Sequence, residues 1–327
     1  MFILLATYNG EPFIRPLLDS ILRQRDTDWR LLARDDGSTD GTRAVLEKAA
    51  MADPRICLVD TPGERLGSAG SFFALMRHAL AQGAHHFALC DQDDVWAEDK
   101  LATMRGAVSR AEDCAPSGTP ILAWSDLEWV DARGCRIAAS HFRRAHAAAA
   151  LAGGGAWLLA MNVVPGCAMV GNRALLERAT PQPQGVVHHD WWLALVAAAM
   201  GRIVVVDRPL VQYRQHGTNA VGAAPPWSRV RRAIASPAGA LEKAHTSYWQ
   251  AVANARALQA IAADVPLARG WTLAVEHAAA ELGAASRWRR GWAVVRGPVR
   301  RLGVMRDALM LAAALATASP SHREGAP

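Results

Sequence analysis

No stretch of this 327-residue chain stays apolar for the ~20 residues that a membrane-spanning helix requires. The longest apolar windows are Trp157 to Val170, broken by Asn162 and Pro165, and Leu309 to Ala318. Cysteine is sparse and unpatterned. Cys57, Cys90, Cys114, Cys135 and Cys167 are odd in number, lie more than 20 residues apart and form no CxxC pair, which argues against a disulfide framework and a zinc knuckle. Lysine is scarce too, 3 of the 36 basic residues. There is no internal repeat. The opening apolar run, Phe2 to Ala6, has no basic segment before it and no small-residue cleavage site after it, so it is expected to be a strand in a cytoplasmic protein and not a signal peptide.

What is present is ordinary globular material, 51% hydrophobic and 20% charged, which leaves little support for disorder or a coiled coil. The net charge of +6 is unevenly spread: residues 226–327 hold 14 basic and 6 acidic side chains, whereas the first 225 sum to −2. With the Pro225-Pro226 pair as boundary, the expected organisation is a first domain over 1–224 and a basic, helical region over 225–327. Such a region, rich in Trp and Arg, suits an anionic membrane surface better than nucleic acid.

Short apolar runs alternate with helical periodicity through the first hundred residues. Strands are expected at 2–6, 29–33, 56–59 and 86–90, with helices over 12–24, through 51 and over 71–81. That alternation reads as βαβ units and a mostly parallel sheet. Later strands are expected at 121–126, 168–171 and 203–206, with a helix over 191–200.

In an open α/β sheet the ligand crevice lies at the carboxyl ends of the strands. Two acidic clusters fall there. Cys90-Asp91-Gln92-Asp93-Asp94-Val95-Trp96 follows one strand directly, and Asp91 and Asp93 are spaced to share one hard cation, Mg2+ or Mn2+, whose usual ligand is a diphosphate. The plainer reading is an acidic turn capping the next helix. Asp35-Asp36-Gly37-Ser38-Thr39-Asp40 follows another strand; its acids can accept the imide N–H of uracil or thymine, while Ser38 to Asp40 also make good N-cap chemistry.

Together with Thr7-Tyr8-Asn9-Gly10, His189-Asp190-Trp191-Trp192 and Pro209 to Asn219, these segments resemble the inverting glycosyltransferases of family 2, and in particular a rhamnosyltransferase-like branch. The resemblance covers about residues 1–222 and implies the GT-A fold, a Rossmann-like α/β sheet flanked by helices. It places Thr7, Tyr8 and Glu11 at the nucleoside, Asp36 on the pyrimidine, Asp91 near ribose and metal, and Asp93 on the metal bridging the diphosphate. His216 and Arg214 are expected to reach metal and diphosphate. Asp190 becomes the candidate base, because inversion needs a proton acceptor within about 3 Å of the attacking hydroxyl. Trp191 and Trp192 are offered to the acceptor sugar, although adjacent helical positions diverge. Ser71 stands where the family often has Asn, and the QxxRW block of processive synthases is missing.

The implied reaction moves a sugar such as rhamnose from a nucleotide-diphosphate donor to a saccharide or lipid-linked saccharide, in cell-surface polysaccharide synthesis at the inner face of the membrane. Two alternatives stand beside it. Asp91-Gln92-Asp93-Asp94-Val95 also fits the nucleophile loop of haloacid-dehalogenase-like phosphatases, and the chain could be a non-catalytic membrane-associated scaffold. Between Trp288 and Met310, apolar residues recur every three or four positions among arginines, the pattern of an interfacial helix or of a packed helix with a solvated basic face.

Overall fold

A computed structural model of the chain describes residues 1–59, 65–142, 155–215, 236–263, 267–268, 270–299 and 304–316. The early apolar runs become β1 (Phe2–Thr7), β2 (Arg30–Asp35), β3 (Ile56–Leu58) and β4 (His86–Asp91), aligned in parallel in the order β3-β2-β1-β4. They are nearly continuous in apolar residues because both faces of a parallel sheet are covered. Ile3, Leu4, Leu5, Leu31, Leu32 and Leu89 have no exposed surface. The crossovers are α1 (Glu11–Leu22), α2 (Thr42–Ala52) and α3 (Gly67–Ala81). Helix α1 buries Ile14, Leu17, Leu18 and Ile21, a stripe at three- and four-residue spacing.

Beyond β4 the sheet becomes mixed. The chain continues through β5 (Val95–Trp96), α4 (Lys100–Asp113), β6 (Ile121–Asp131), β7 (Arg136–Ala138), β8 (Met169–Asn172), α5 (Arg173–Ala179), α6 (His189–Met200) and β9 (Arg202–Gln215). Strand β8 inserts antiparallel between β4 and β6, β9 runs parallel to β6, β5 closes the edge against β9, and β7 pairs with β6. Strand β9 extends well past the expected 203–206. Its register with β6 jumps from Ser125 opposite Val206 to Asp126 opposite Pro209, so a bulge absorbs a proline that cannot donate to the ladder.

Contacts separate two units, one within Met1–Leu151, Val164–Gln182 and His188–Ala220, the other within Ala152–Val163, Pro183–Val187 and Val221–Pro327. The second is helical: α7 (Pro237–Ile261), α8 (Trp271–His277) running into a π-helical turn (Ala278–Leu282), α9 (Arg287–Arg296) and α10 (Val304–Ala316). The Tyr248 hydroxyl donates to the Leu282 carbonyl at 2.6 Å. At Gly291 a Cβ would come within 2.8 Å of Leu315 Cδ2, so the glycine permits α9 to approach α10 closely. No helix among the described residues is long and apolar enough to cross a membrane.

Candidate active site

The parallel register puts Thr7 opposite Asp35 and Ala6 opposite Asp91, so the loops leaving β1, β2 and β4 emerge at one sheet edge. They are tied together there. The Gln92 side chain accepts from Tyr8 N at 2.9 Å and donates to Tyr8 O at 3.0 Å, as a neighbouring strand would. Gly10 lies against that amide: a Cβ would fall 2.3 Å from Gln92 Oε1. Asn9, at φ +49°, accepts from Thr39 N, and one Glu11 carboxylate oxygen accepts from Gly41 N at 2.9 Å. Of the three residues expected at the nucleoside, only Tyr8, 39% exposed, offers a ring, with the Arg65 guanidinium 4.1 Å above it. Thr7 is buried, its hydroxyl donating to Asp35 at 3.1 Å, and Glu11 anchors the approach to α2. Both side chains tie these loops to one another.

Asp36 is held by three donors: Arg34 Nη1 at 2.5 Å, Leu66 N at 2.8 Å and Gly67 N at 2.9 Å. The two amides open α3, where unpaired N–H groups favour an anion, and Gly67 takes φ +67°, a region glycine enters without strain. Burial pushes the Asp36 carboxyl up, but the hydrogen bonds outweigh it and hold it below its ordinary range. The buried Arg34 also donates to Ser71 Oγ at 2.6 Å, so Ser71 orients the arginine that orients Asp36. Neither Arg34 nor that function of Ser71 was legible in the sequence. A carboxylate has about four acceptor positions, and three donors occupy them here.

Around β4 the negative charge accumulates. Burial first, then the fields of Asp93 and Asp190, raise the Asp91 carboxyl to about 7. Asp91, Asp93 and Asp190 therefore lie within one electrostatic neighbourhood. Asp94 is fully buried and points inward, one oxygen accepting from Arg214 N at 3.1 Å, and burial drives its carboxyl well up. Ligating atoms of Asp91, Asp94 and Cys167 lie within 4.8 Å of one another. The compensating cation is Lys100, buried, donating to Cys167 O at 2.7 Å and 3.4 Å from the Trp96 ring centroid; burial lowers its ammonium to about 8. Lys100 and the Arg214 guanidinium behind the loop stand against a cluster of carboxyl groups from Asp91, Asp93, Asp94 and Asp190, hard oxygen donors of the kind that suits Mg2+ or Mn2+.

The raised Asp91 pKa has two consequences of opposite use. The folded carboxyl holds its proton more tightly than an unfolded one, so that contribution to apo stability is present at low pH and lost as pH rises through about 7. A cation competes for the same oxygen. Mn2+ affinity measured by calorimetry should therefore climb between about pH 6 and 8 and then level off; a flat profile removes Asp91 from the ligand set.

Asp190 stands in the first turn of α6, its Oδ1 accepting from Trp191 N at 2.7 Å. Gly166 clears the space before it, since a Cβ there would lie 3.3 Å from Asp190 Cβ and 3.6 Å from Leu89 Cδ1. Its neighbour His189 is buried and stacked on Phe72 at 3.9 Å, and burial lowers its imidazole to about 4, so it stays neutral beside the acids. Three expectations are corrected. Trp192 has no exposed surface and donates from Nε1 to Ala179 O at 3.0 Å, and Trp191 is only 6% exposed, so both belong to the core and neither offers an acceptor platform. Arg214 is buried and spends its guanidinium on the carbonyls of Asp93, at 2.9 Å, and Ala132, at 3.1 Å; it fixes the acidic loop from behind and does not reach outward to a diphosphate. His216 lies outside the described residues.

Residues 2–133 match the family described as Glycosyl transferase family 2. The dTDP-rhamnosyl transferase RfbG of Shigella flexneri is 28% identical over 232 residues, 67% of this chain and 74% of that protein. Residues 2–133 thus form a family 2 glycosyltransferase domain. WfgD of Escherichia coli, a UDP-Glc:alpha-D-GlcNAc-diphosphoundecaprenol beta-1,3-glucosyltransferase, is 35% identical over 100 residues, 30% of this chain and 37% of that relative's length. The mannosyltransferase PcManGT from Pyrobaculum calidifontis, solved with GDP-Man and Mn2+, superposes with a TM-score of 0.52 at 21% identity, over 96% of this chain and 85% of that one. The fold is thus that of the GT-A glycosyltransferases. The phosphatase alternative fails on topology as well, because its acidic loop ends a first core strand, whereas here the motif follows β4.

Proposed function

We propose that this glycosyltransferase moves a sugar, rhamnose by its likeness to RfbG, from a pyrimidine nucleoside-diphosphate donor to a saccharide or lipid-linked saccharide with inversion at the anomeric carbon, in cell-surface polysaccharide synthesis. The observation that carries this reading is the convergence of Asp91, Asp93 and Asp190 on the edge where β1, β2 and β4 end. Catalysis is assigned to residues 1–224, the GT-A domain, which a basic helical region over 225–327 follows. Tyr8 packs on the base and Asp36 accepts its imide N–H. Asp91 stands near the ribose, and Asp93 holds the cation, with His216 as a further ligand. A bound Mg2+ or Mn2+ supplies Lewis acidity that offsets the charge developing on the departing diphosphate.

Asp190 takes the proton from the acceptor hydroxyl, whose oxygen forms the new bond to the anomeric carbon as the bond to the diphosphate oxygen breaks on the opposite face. Arg214 acts as a positioning residue, clamping the backbone of the acidic loop so that Asp93 keeps its place. WfgD is named for a diphosphoundecaprenol-linked sugar, which supports a lipid-linked acceptor; residence at the inner membrane face, with peripheral contact to anionic lipid, belongs to the same proposal.

The direct test is thermal stabilisation by dTDP, UDP and GDP with and without Mn2+. A ligand at a hundred times its Kd adds about 2.7 kcal/mol to the native state. The expected result is a Mn2+-dependent rise with dTDP or UDP. An equal rise with GDP ends the pyrimidine assignment, and no rise with any of them ends the donor-site reading.

A further inference from the structure

Helix α9 buries one arginine among small residues and leaves two tryptophans on its outer face. Its inward positions are Arg290, Gly291, Ala293 and Val294. Arg290 is fully buried, its Nε donating to Ala314 O at 3.0 Å and its Nη1 to Ala284 O at 2.8 Å and Ala285 O at 2.9 Å. These carbonyls lie at or just past helix ends, where backbone acceptors lack partners and a cation is favoured. The arginine is therefore inside for a local reason. Nothing of that kind accounts for the outer face. Trp288 is 64% exposed, Trp292 59% and Val295 46%, at spacings of four and three that align them in one stripe.

The charge on that stripe identifies what covers it. The guanidinium of Arg287 lies 5.1 Å from the Trp288 ring centroid and that of Arg296 4.6 Å from the Trp292 ring. Residues 287–296 contain no acid, and the whole region beyond 225 is strongly basic. A second copy of the chain would set these arginines against each other, like charge on like charge. An anionic lipid surface meets both requirements: indole rings favour the headgroup boundary, where one edge is apolar and the N–H stays wet, and arginine carries its charge outward to phosphate.

We propose that the Trp288–Trp292–Val295 face of α9, with Arg287 and Arg296, is a docking surface for anionic phospholipid headgroups, on which the helix lies flat in the interface. This deepens the membrane-side reading above by naming the surface, and its evidence is independent of the catalytic acids.

The test uses the full chain with vesicles of phosphatidylcholine alone or with about a third phosphatidylglycerol, the bound fraction being read by sedimentation. The wild type should bind the anionic vesicles and not the neutral ones, and about 0.5 M salt should release most of it. Trp288→Ser with Trp292→Ser should lower binding about tenfold or more, and Arg287→Gln with Arg296→Gln should erase the preference for anionic lipid. All four positions are exposed, so unchanged thermal midpoints and unchanged Mn2+–nucleotide binding certify that both variants fold. Absence of wild-type binding overturns the proposal, as does binding undiminished in both variants. A wild-type dimer that the tryptophan pair breaks, without vesicle binding, assigns the stripe to a second copy instead. Loss of nucleotide binding in the wild type with vesicle binding intact counts against the transferase reading and leaves this surface standing.

Discussion

Asp93→Ala is expected to leave a folded chain that no longer binds nucleoside diphosphate in a Mn2+-dependent way and transfers no sugar at a useful rate. A metal acting as Lewis acid supplies several kcal/mol of charge stabilisation, and at about 1.36 kcal/mol per decade the loss in kcat/KM is about 10³-fold or more. The fold should survive because the loop is held by its backbone and by its neighbours. Arg214 Nε donates to the Asp93 carbonyl at 2.9 Å, Arg214 N donates to Asp94 Oδ1 at 3.1 Å, and Gln92 is tied to Tyr8 at both ends of its amide. Removing the Asp93 charge also relieves Asp91, whose carboxyl it helps to raise, so the apo thermal midpoint should hold or rise while the increment given by Mn2+ disappears. Thermal scans with and without Mn2+ and dTDP, beside a transfer assay, read both effects. Undiminished transfer ends the metal role of Asp93.

Asp190→Asn separates chemistry from binding. Loss of a positioned general base lowers kcat by about 10² to 10⁴, while Mn2+–nucleotide affinity and donor KM should stay close to wild type. Asparagine can keep the hydrogen bond that Asp190 Oδ1 accepts from Trp191 N at 2.7 Å. The lost charge at the start of α6 costs about 0.3–1 kcal/mol through the helix dipole, too little to unfold the chain. A structural role would change stability and leave kcat alone. If kcat survives, the proton goes to another residue.

Much of the first half was legible for a simple reason. A strand buried on both faces must be apolar throughout, so β1, β2 and β4 announce themselves, and the acids that interrupt such runs mark the sheet edge where ligands bind. The mixed half was harder. Strand β8 is four residues long and sits antiparallel between β4 and β6 by register alone. Strand β9 runs on past the expected 203–206, and only the bulge against β6 shows how Pro209 enters a strand.

The same division holds in the site. The acidic motifs were visible, whereas the functions of Arg34, Ser71 and Lys100 emerge only when burial makes each the counter-charge or brace in the carboxylate network. Arg214 and Trp192 erred in the other direction. A motif states residue type but not direction, and the fold turned both inward.

Residue order alone determined the βαβ frame, the placing of carboxylates at strand ends and the basic character of the last hundred residues, since these follow from local periodicity and charge. Only tertiary structure decided which carboxylates share one field, which arginines are buried and which tryptophans remain in contact with solvent. Those outcomes depend on distances between segments far apart in the chain, and on the dielectric that packing creates around them.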